Sequence, residues 1–231
     1  MKLTRHNHAC VTIEHDGTTI VIDPGTLTPN AAELLHQADG VLVTHDHFDH
    51  FDRDAIRAAL AQRPELRIYG TQAVVDALTD TDAASDGQAT AITDTDAASD
   101  GQATAITEDT EFTVGPISVS AFAGLHGVIH PEIRVHENVT FLVGGAVLHP
   151  GDSYSAPGVP VDTLLLPTSG PWTVMAQAID FVREVGPRQS IPIHDAMLSD
   201  VGKKGADRML GEGSLTAVPM LPLQPGESVE L

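Results

Sequence analysis

His45-Asp46-His47-Phe48-Asp49-His50-Phe51-Asp52 packs three histidines and three aspartates into eight residues, directly after the apolar run Val41-Leu42-Val43. Imidazole nitrogens and carboxylate oxygens at this density suit a divalent transition ion such as zinc, manganese or iron(II). Four candidate ligands, His45, His47, Asp49 and His50, stand within six residues. A loop can aim such neighbours at two different centres, whereas a regular strand sends them alternately to opposite faces. The competing reading is a solvated polar turn. The position just past a buried strand argues against it.

One loop cannot complete two coordination shells. In open α/β sheets, ligands gather outside the carboxyl ends of strands, and three more candidates stand at such ends. His126 follows the predicted strand Pro116–Ala123. Asp152 follows Ala146–Leu148 in His149-Pro150-Gly151-Asp152-Ser153. His194 ends the strand in Ile191-Pro192-Ile193-His194. Each alone reads as a hydrogen-bonded loop residue; the set, in this order, reads as a metal centre.

The elements that must position these groups are legible from periodicity and turn chemistry. Cys10–Ile13 and Thr18–Ile22 are β-rich, and Asp16-Gly17 between them signals a hairpin. Ala31–Gln37 predicts a short helix and Gly40–Val43 a buried strand. Asp52–Gln62 predicts a helix with Asp52 as its N-cap. Arg67–Tyr69 predicts a strand and Thr71–Leu78 a helix. Val139–Val143 and Ala146–Leu148 predict a hairpin turning at Gly144-Gly145. Thr163–Leu166 predicts a buried strand. Thr173–Val185 predicts a helix with Val174, Ala178, Phe181, Val182 and Val185 on its apolar face. Ser190–Ile193 predicts a strand, and Ser228–Leu231 an edge strand. This mixture implies sheets packed together with helices outside, an α/β or α+β class. The expected organisation is one domain of two pseudo-symmetric halves, about 1–115 and 116–231.

TDTDAASDGQATAI occurs twice without differences, at Thr79–Ile92 and Thr93–Ile106. Asp80, Asp82 and Asp86 suggest a calcium loop, but an EF-hand needs an oxygen ligand at its fifth position and Gly at its sixth. Ala84 and Ser85 stand there. The segment reads as a tandem duplication in an acidic loop. Only one copy of Gln-Ala-Thr-Ala-Ile can fill a given strand position.

The 231 residues carry 32 acidic against 12 basic side chains, a formal net charge of −20. Such a surface repels phosphate backbones and anionic headgroups, which disfavours nucleic-acid or membrane partners and leaves a small molecule as the expected one. Self-association is left open. Cys10 is the single cysteine, which fits a reducing compartment. No apolar run approaches the roughly 18 residues needed to span a bilayer. The expectation is a soluble cytoplasmic protein.

The pattern His45-x-His47-x-Asp49-His50, then His126, Asp152 and His194, resembles the metallo-β-lactamase superfamily, and the resemblance covers nearly the whole chain. His8-Ala9-Cys10, Ile22-Asp23-Pro24-Gly25, the Pro167–Met175 segment and Pro192-Ile193-His194 look most like its compact lactonase-like branch, which includes ascorbate-6-phosphate lactonase. The resemblance implies a four-layer αββα sandwich with the site at one edge of two sheets. It implies that His45, His47 and His126 hold one divalent ion, that Asp49, His50 and His194 hold another, and that Asp152 bridges them. Zinc stands foremost, with manganese or iron as alternatives. It implies hydrolysis of a small ester, lactone or amide, with Asp49 orienting the nucleophile and passing a proton to the leaving group. A phosphodiesterase or nuclease, an iron oxidoreductase and a non-catalytic metal-binding module share the same scaffold as alternatives.

Around this set, Asp23 is placed to accept the free ring N–H of a ligand histidine, and His8 to approach from the first strand. Trp172, the only tryptophan, either walls a substrate pocket or covers the following helix. His6, His15, His36, His130 and His136 read as surface residues.

Overall fold

A computed structural model describes residues 1–79 and 101–231. Asp80, Asp82 and Asp86 lie outside the described residues, as does all but the first residue of the first TDTDAASDGQATAI copy.

One sheet contains β1 (Lys2–Arg5), β2 (Val11–His15), β3 (Thr18–Ile22), β4 (Gly40–Val43), β5 (Arg67–Gly70), β6 (Ala103–Ala105) and β13 (Ser228–Glu230), in the order β13-β1-β2-β3-β4-β5-β6. The β2–β3 hairpin turns on Asp16 and Gly17, both at positive φ, as a tight primed turn requires. From β3 to β6 the pairing is parallel. Parallel neighbours need crossovers, and α1 (Ala31–Gln37), α2 (Arg53–Gln62) and α3 (Gln72–Thr79) supply them. β6 comes from the second copy of the duplicated segment.

The other sheet runs β12-β11-β10-β9-β8-β7, from β7 (Thr110–Val114), β8 (Ile117–Leu125), β9 (Glu137–Val143), β10 (Val147–His149), β11 (Thr163–Pro167) and β12 (Gln189–Ile193). It is antiparallel from β7 to β10 and parallel from β10 to β12. α4 (Met175–Val185) crosses from β11 to β12, and α5 (Asp200–Leu210) follows β12.

Alternation along the strands builds the layers. Ile20 and Ile22 of β3 and Leu42 of β4 face Val119, Phe141, Leu165 and Ile191 of the second sheet. Val21 and Val41 point the other way, onto Leu35, Ile56 and Val74 of the first three helices. Leu148, Leu164 and Leu166 do the same onto Ala178, Phe181 and Val182 of α4 and Leu210 of α5. The result is an αββα sandwich. All four residues of β4 are buried, which explains its unbroken apolar run.

Two readings are corrected. α4 starts at Met175, not Thr173, because Thr173 turns back to donate from both its amide and Oγ1 to the Gly170 carbonyl. Val174 is consequently an extended, 49% exposed N-cap rather than part of the helix's apolar face. His6 is buried and hydrogen-bonds Thr12 rather than lying at the surface. β1, β7 and α5 carry no clear sequence signal. α5 contains Gly202 and Gly205, both poor helix formers; Ser199 caps it and burial of Ala206 and Leu210 secures it. No helix among the described residues is long and apolar enough to cross a membrane.

Candidate metal centre

The ligand loop begins after β4, and Asp23, just past β3, anchors its first residue. Asp23 sits at φ 50°, and its Oδ1 and Oδ2 accept from the amide and Oγ1 of Thr44, each at 2.7 Å. The first residue after β4 is thereby fixed. A Cβ on Gly25 would lie 2.0 Å from the Asp49 carbonyl oxygen, so only glycine lets the two loops touch there. At the far end, the amides of His50 and Phe51 both donate to the His47 carbonyl. Asp52 then caps α2 by accepting from the Ala55 amide.

The remaining candidates arrive from strand ends. His126 directly follows β8, Asp152 follows β10, His194 directly follows β12, and His8 stands in the β1–β2 turn. Side chains converge in two groups: His45, His47, His126 and Asp152, and His8, Asp49, His50 and His194. Within each, one donor atom per residue lies within 4.8 Å of all the others. All seven expected ligands are thus brought together, and His8 joins the second group.

Hydrogen bonds decide which ring nitrogen carries the proton. A carboxylate only accepts, so His50 Nδ1, 2.7 Å from Asp23 Oδ2, must donate. Thr44 Oγ1 gives its proton to Asp23 and therefore accepts from His45 Nδ1 at 3.0 Å. His126 Nδ1 donates to the Gly127 carbonyl at 2.6 Å. These three bonds leave Nε2 of His45, His50 and His126 as the inward donor atom. His8 differs: its Nδ1 accepts from the Ala196 amide, so its Nε2–H donates to Asp49 Oδ2 at 3.0 Å.

Asp152 lies between the groups. Its Oδ1 is 3.1 Å from His50 Nε2; its Oδ2 is 3.3 Å from His126 Nε2 and 3.2 Å from His194 Nε2. Yet His50 Nε2, Asp152 Oδ1 and both His194 ring nitrogens are buried without an aligned hydrogen-bond partner. Orphaned buried polar atoms cost about 1–3 kcal/mol each. A cation shared among them removes that cost, and nitrogen with carboxylate oxygen is the donor set of zinc, manganese or iron(II). The residues present fit such ions.

The charges are tuned by the same contacts. Burial opposes ionisation of Asp49, but the nearby His194 ring and the hydrogen bond from His8 outweigh it and hold its carboxyl well below the usual range. Burial likewise opposes charge on Asp152, and the nearby His50, His126 and His194 again win. Burial and the neighbouring His50 keep His45 well below its ordinary value, as a neutral ligand requires.

The structure places Trp172 with only 3% of its surface exposed, its Nε1 donating to Asp152 Oδ2 at 2.8 Å. Its ring also borders an adjoining cleft. Four further residues support the site. Asn138 accepts from the Asp152 amide and donates to the Pro150 carbonyl. A Cβ on Gly151 would fall 2.2 Å from Asn138 Oδ1, so that turn is glycine-dependent. His149 Nε2 reaches the Ala9 carbonyl, tying β10 to the turn that carries His8. Thr44 links Asp23 to His45. His136, expected at the surface, is half-buried: it hydrogen-bonds Asp46 at 2.9 Å and its ring centre lies 4.5 Å from that of His47. Only a position beside the ligand motif would have marked Thr44; the others carry no local signal.

Comparison with known proteins places this geometry. Residues 2–194 match the family model described as the beta-lactamase superfamily domain. A protein of Mycobacterium tuberculosis is 30% identical over 227 residues, covering 96% of this chain and 97% of that one. A metal-dependent hydrolase of Carboxydothermus hydrogenoformans is 27% identical over 253 residues, covering all of both. Among solved structures, a metallo hydrolase from the archaeon Ignicoccus hospitalis has the same fold, with a TM-score of 0.67 at 19% identity over 99% of this chain and 97% of that one. With the four-layer sandwich, the His-x-His-x-Asp-His loop and near full-length relatives in agreement, the chain belongs to the beta-lactamase superfamily.

Proposed function

We propose that this chain is a metal-dependent hydrolase with a dinuclear centre. His45, His47 and His126 hold one ion, Asp49, His50 and His194 the other, and Asp152 is shared. The observation that carries this reading is the set of buried nitrogen and oxygen atoms that face one another at 3.1–3.2 Å without aligned hydrogen bonds. When bound, divalent ions supply polarisation of a carbonyl or phosphoryl oxygen and bring the pKa of water toward neutrality. Seven ligands for two ions leave coordination positions open, as catalysis needs. Zinc is the first choice, with manganese or iron as alternatives.

The chain's own residues do the rest. Asp49, held ionised, takes a proton from the attacking water and returns it to the leaving oxygen or nitrogen. His8 holds Asp49 Oδ2 while this happens. Asp23, Trp172 and Asn138 orient His50, Asp152 and the Asp152 loop. The name of the Carboxydothermus relative supports hydrolysis, and a net charge of −20 supports a small ester, lactone or amide over a polyanion.

The test is metal analysis combined with a panel of esters, lactones, amides and phosphodiesters. The expected result is about two ions per chain and hydrolysis that chelators abolish. Turnover of phosphodiesters alone selects a phosphodiesterase, and oxygen-dependent turnover of an iron form selects an oxidoreductase. Ions bound without any turnover select a non-catalytic module.

A further inference from the structure

A cleft of about 520 Å³ opens beside His126 and Trp172, between the segment after β8, the segment after β10 and the start of α4. Its walls include Leu125, Val128, Val174, Phe181 and Tyr154. Leu125 is 61% exposed, Val128 59% and Val174 49%. Large apolar side chains left in water at the mouth of a site gain most when a ligand covers them. Their positions are tied to the site by sequence: Leu125 precedes His126, Val128 follows it by two, and Val174 follows Trp172 by two. Ser153, Ser155, Gln177 and the carboxylates of Asp180 and Glu184 line the rest, so the apolar groups form one part of a mixed cleft; neither lysine nor arginine lines it. A phosphate or carboxylate group seated there meets no lysine or arginine, while an uncharged hydrocarbon group meets the exposed side chains of Leu125, Val128 and Val174.

We propose that this cleft receives the uncharged, apolar acyl or alkyl part of the substrate, so that the substrate class is a neutral ester, lactone or amide bearing a hydrocarbon group of several carbons. This rests on the hydrolase reading above. Water adds to the carbonyl carbon, the bond to the leaving oxygen or nitrogen breaks, and the products are a carboxylic acid and an alcohol or amine, joined in one hydroxy acid when the substrate is a lactone. The cleft contributes binding of the hydrocarbon group and no chemical step.

Two measurements on the metal-loaded protein test it. The first compares kcat/KM for para-nitrophenyl acetate and hexanoate with that for a phosphorylated lactone. The expected hexanoate-to-acetate ratio is about tenfold or more, below what four fully buried methylenes are worth. The phosphorylated lactone should be the poorest substrate, and Leu125→Asp or Val128→Asp should bring the ratio toward one. A flat ratio in the unaltered protein, or preference for the phosphorylated lactone, overturns the proposal and leaves the hydrolase reading standing. The second follows emission of Trp172, the only tryptophan, on titration with hexan-1-ol and ethanol. A response to hexan-1-ol at about tenfold lower concentration supports the apolar cleft independently of turnover. Equal responses overturn it. That response together with two bound ions and no turnover of any panel substrate refutes the hydrolase reading and, with it, the substrate class, while the apolar site remains.

Discussion

Trp172 Nε1 donates a 2.8 Å hydrogen bond to Asp152 Oδ2, the oxygen that also faces His126 and His194. The only indole in the chain thus fixes the carboxylate shared by both ligand groups. Trp172→Phe keeps most of the buried ring and removes the donor. Metal affinity should fall by about tenfold to a hundredfold, measured by competition with a chelator, with the fold intact by circular dichroism. Unchanged affinity would mean that the bond orients nothing.

His8 is the histidine of the second group whose inward nitrogen carries a proton for Asp49. His8→Gln retains an N–H donor at a similar reach, and His8→Ala does not. Both variants should keep about two ions per chain, and activity should fall much further in His8→Ala than in His8→Gln, by about 10²-fold relative to the unaltered protein. Loss of one ion from His8→Gln would instead make His8 a ligand.

His47 and Asp152 carry the opposite expectation. His47→Ala or Asp152→Ala should lose at least one of about two ions in elemental analysis. Full stoichiometry in either variant would refute the ligand assignment.

Metal-free protein should show a stability maximum near neutral pH. Burial disfavours the His194 cation, but the Asp152 and Asp49 carboxylates close to its ring raise its pKa from 6.5 to about 8. A folded value above the unfolded one stabilises fully below about 6.5 and is lost as pH rises through about 8. His45 acts in reverse: burial and His50 hold it well below 6.5, so its contribution is lost as pH falls below that value. The Tm of chelator-treated protein should therefore decline on both sides of a maximum near pH 6.5. Added divalent ion should remove the alkaline decline, because ligation needs the neutral ring. A Tm that climbs steadily to pH 9 without metal would contradict the role given to His194.

The duplicated segment should be half dispensable. Its copies are identical, so deleting either 14-residue copy yields one polypeptide that still contains the Gln102–Ile106 sequence from which β6 forms. Shortening a connection changes closure entropy by only about 0.6 kcal/mol per halving. Metal content should be unchanged and Tm should move by only a few degrees, read by elemental analysis and differential scanning calorimetry. A large drop in either would assign the surplus copy a structural part.

What the sequence by itself determined is local. Val41-Leu42-Val43 declares a strand buried on both faces, Asp16-Gly17 a tight hairpin, Asp52 a helix cap, and His45 to His50 a dense donor set; all depend on neighbours a few residues away. His126, Asp152 and His194 were legible because each stands at a strand end, and strand ends share one edge of the sandwich. Only the tertiary structure decided how those donors are held. His8 finds Asp49 41 residues away and Ala196 188 residues away. Asp23 finds His50 across two parallel strands, and Asn138 finds Asp152 across a hairpin. The start of α4 was set by Thr173 folding back on Gly170, against an apolar periodicity that includes Val174. Hydrogen-bond partners far apart in the chain leave no periodic trace. The sequence can therefore name the atoms that would bind, while the packing of strands selects which nitrogen faces inward and which carries the proton.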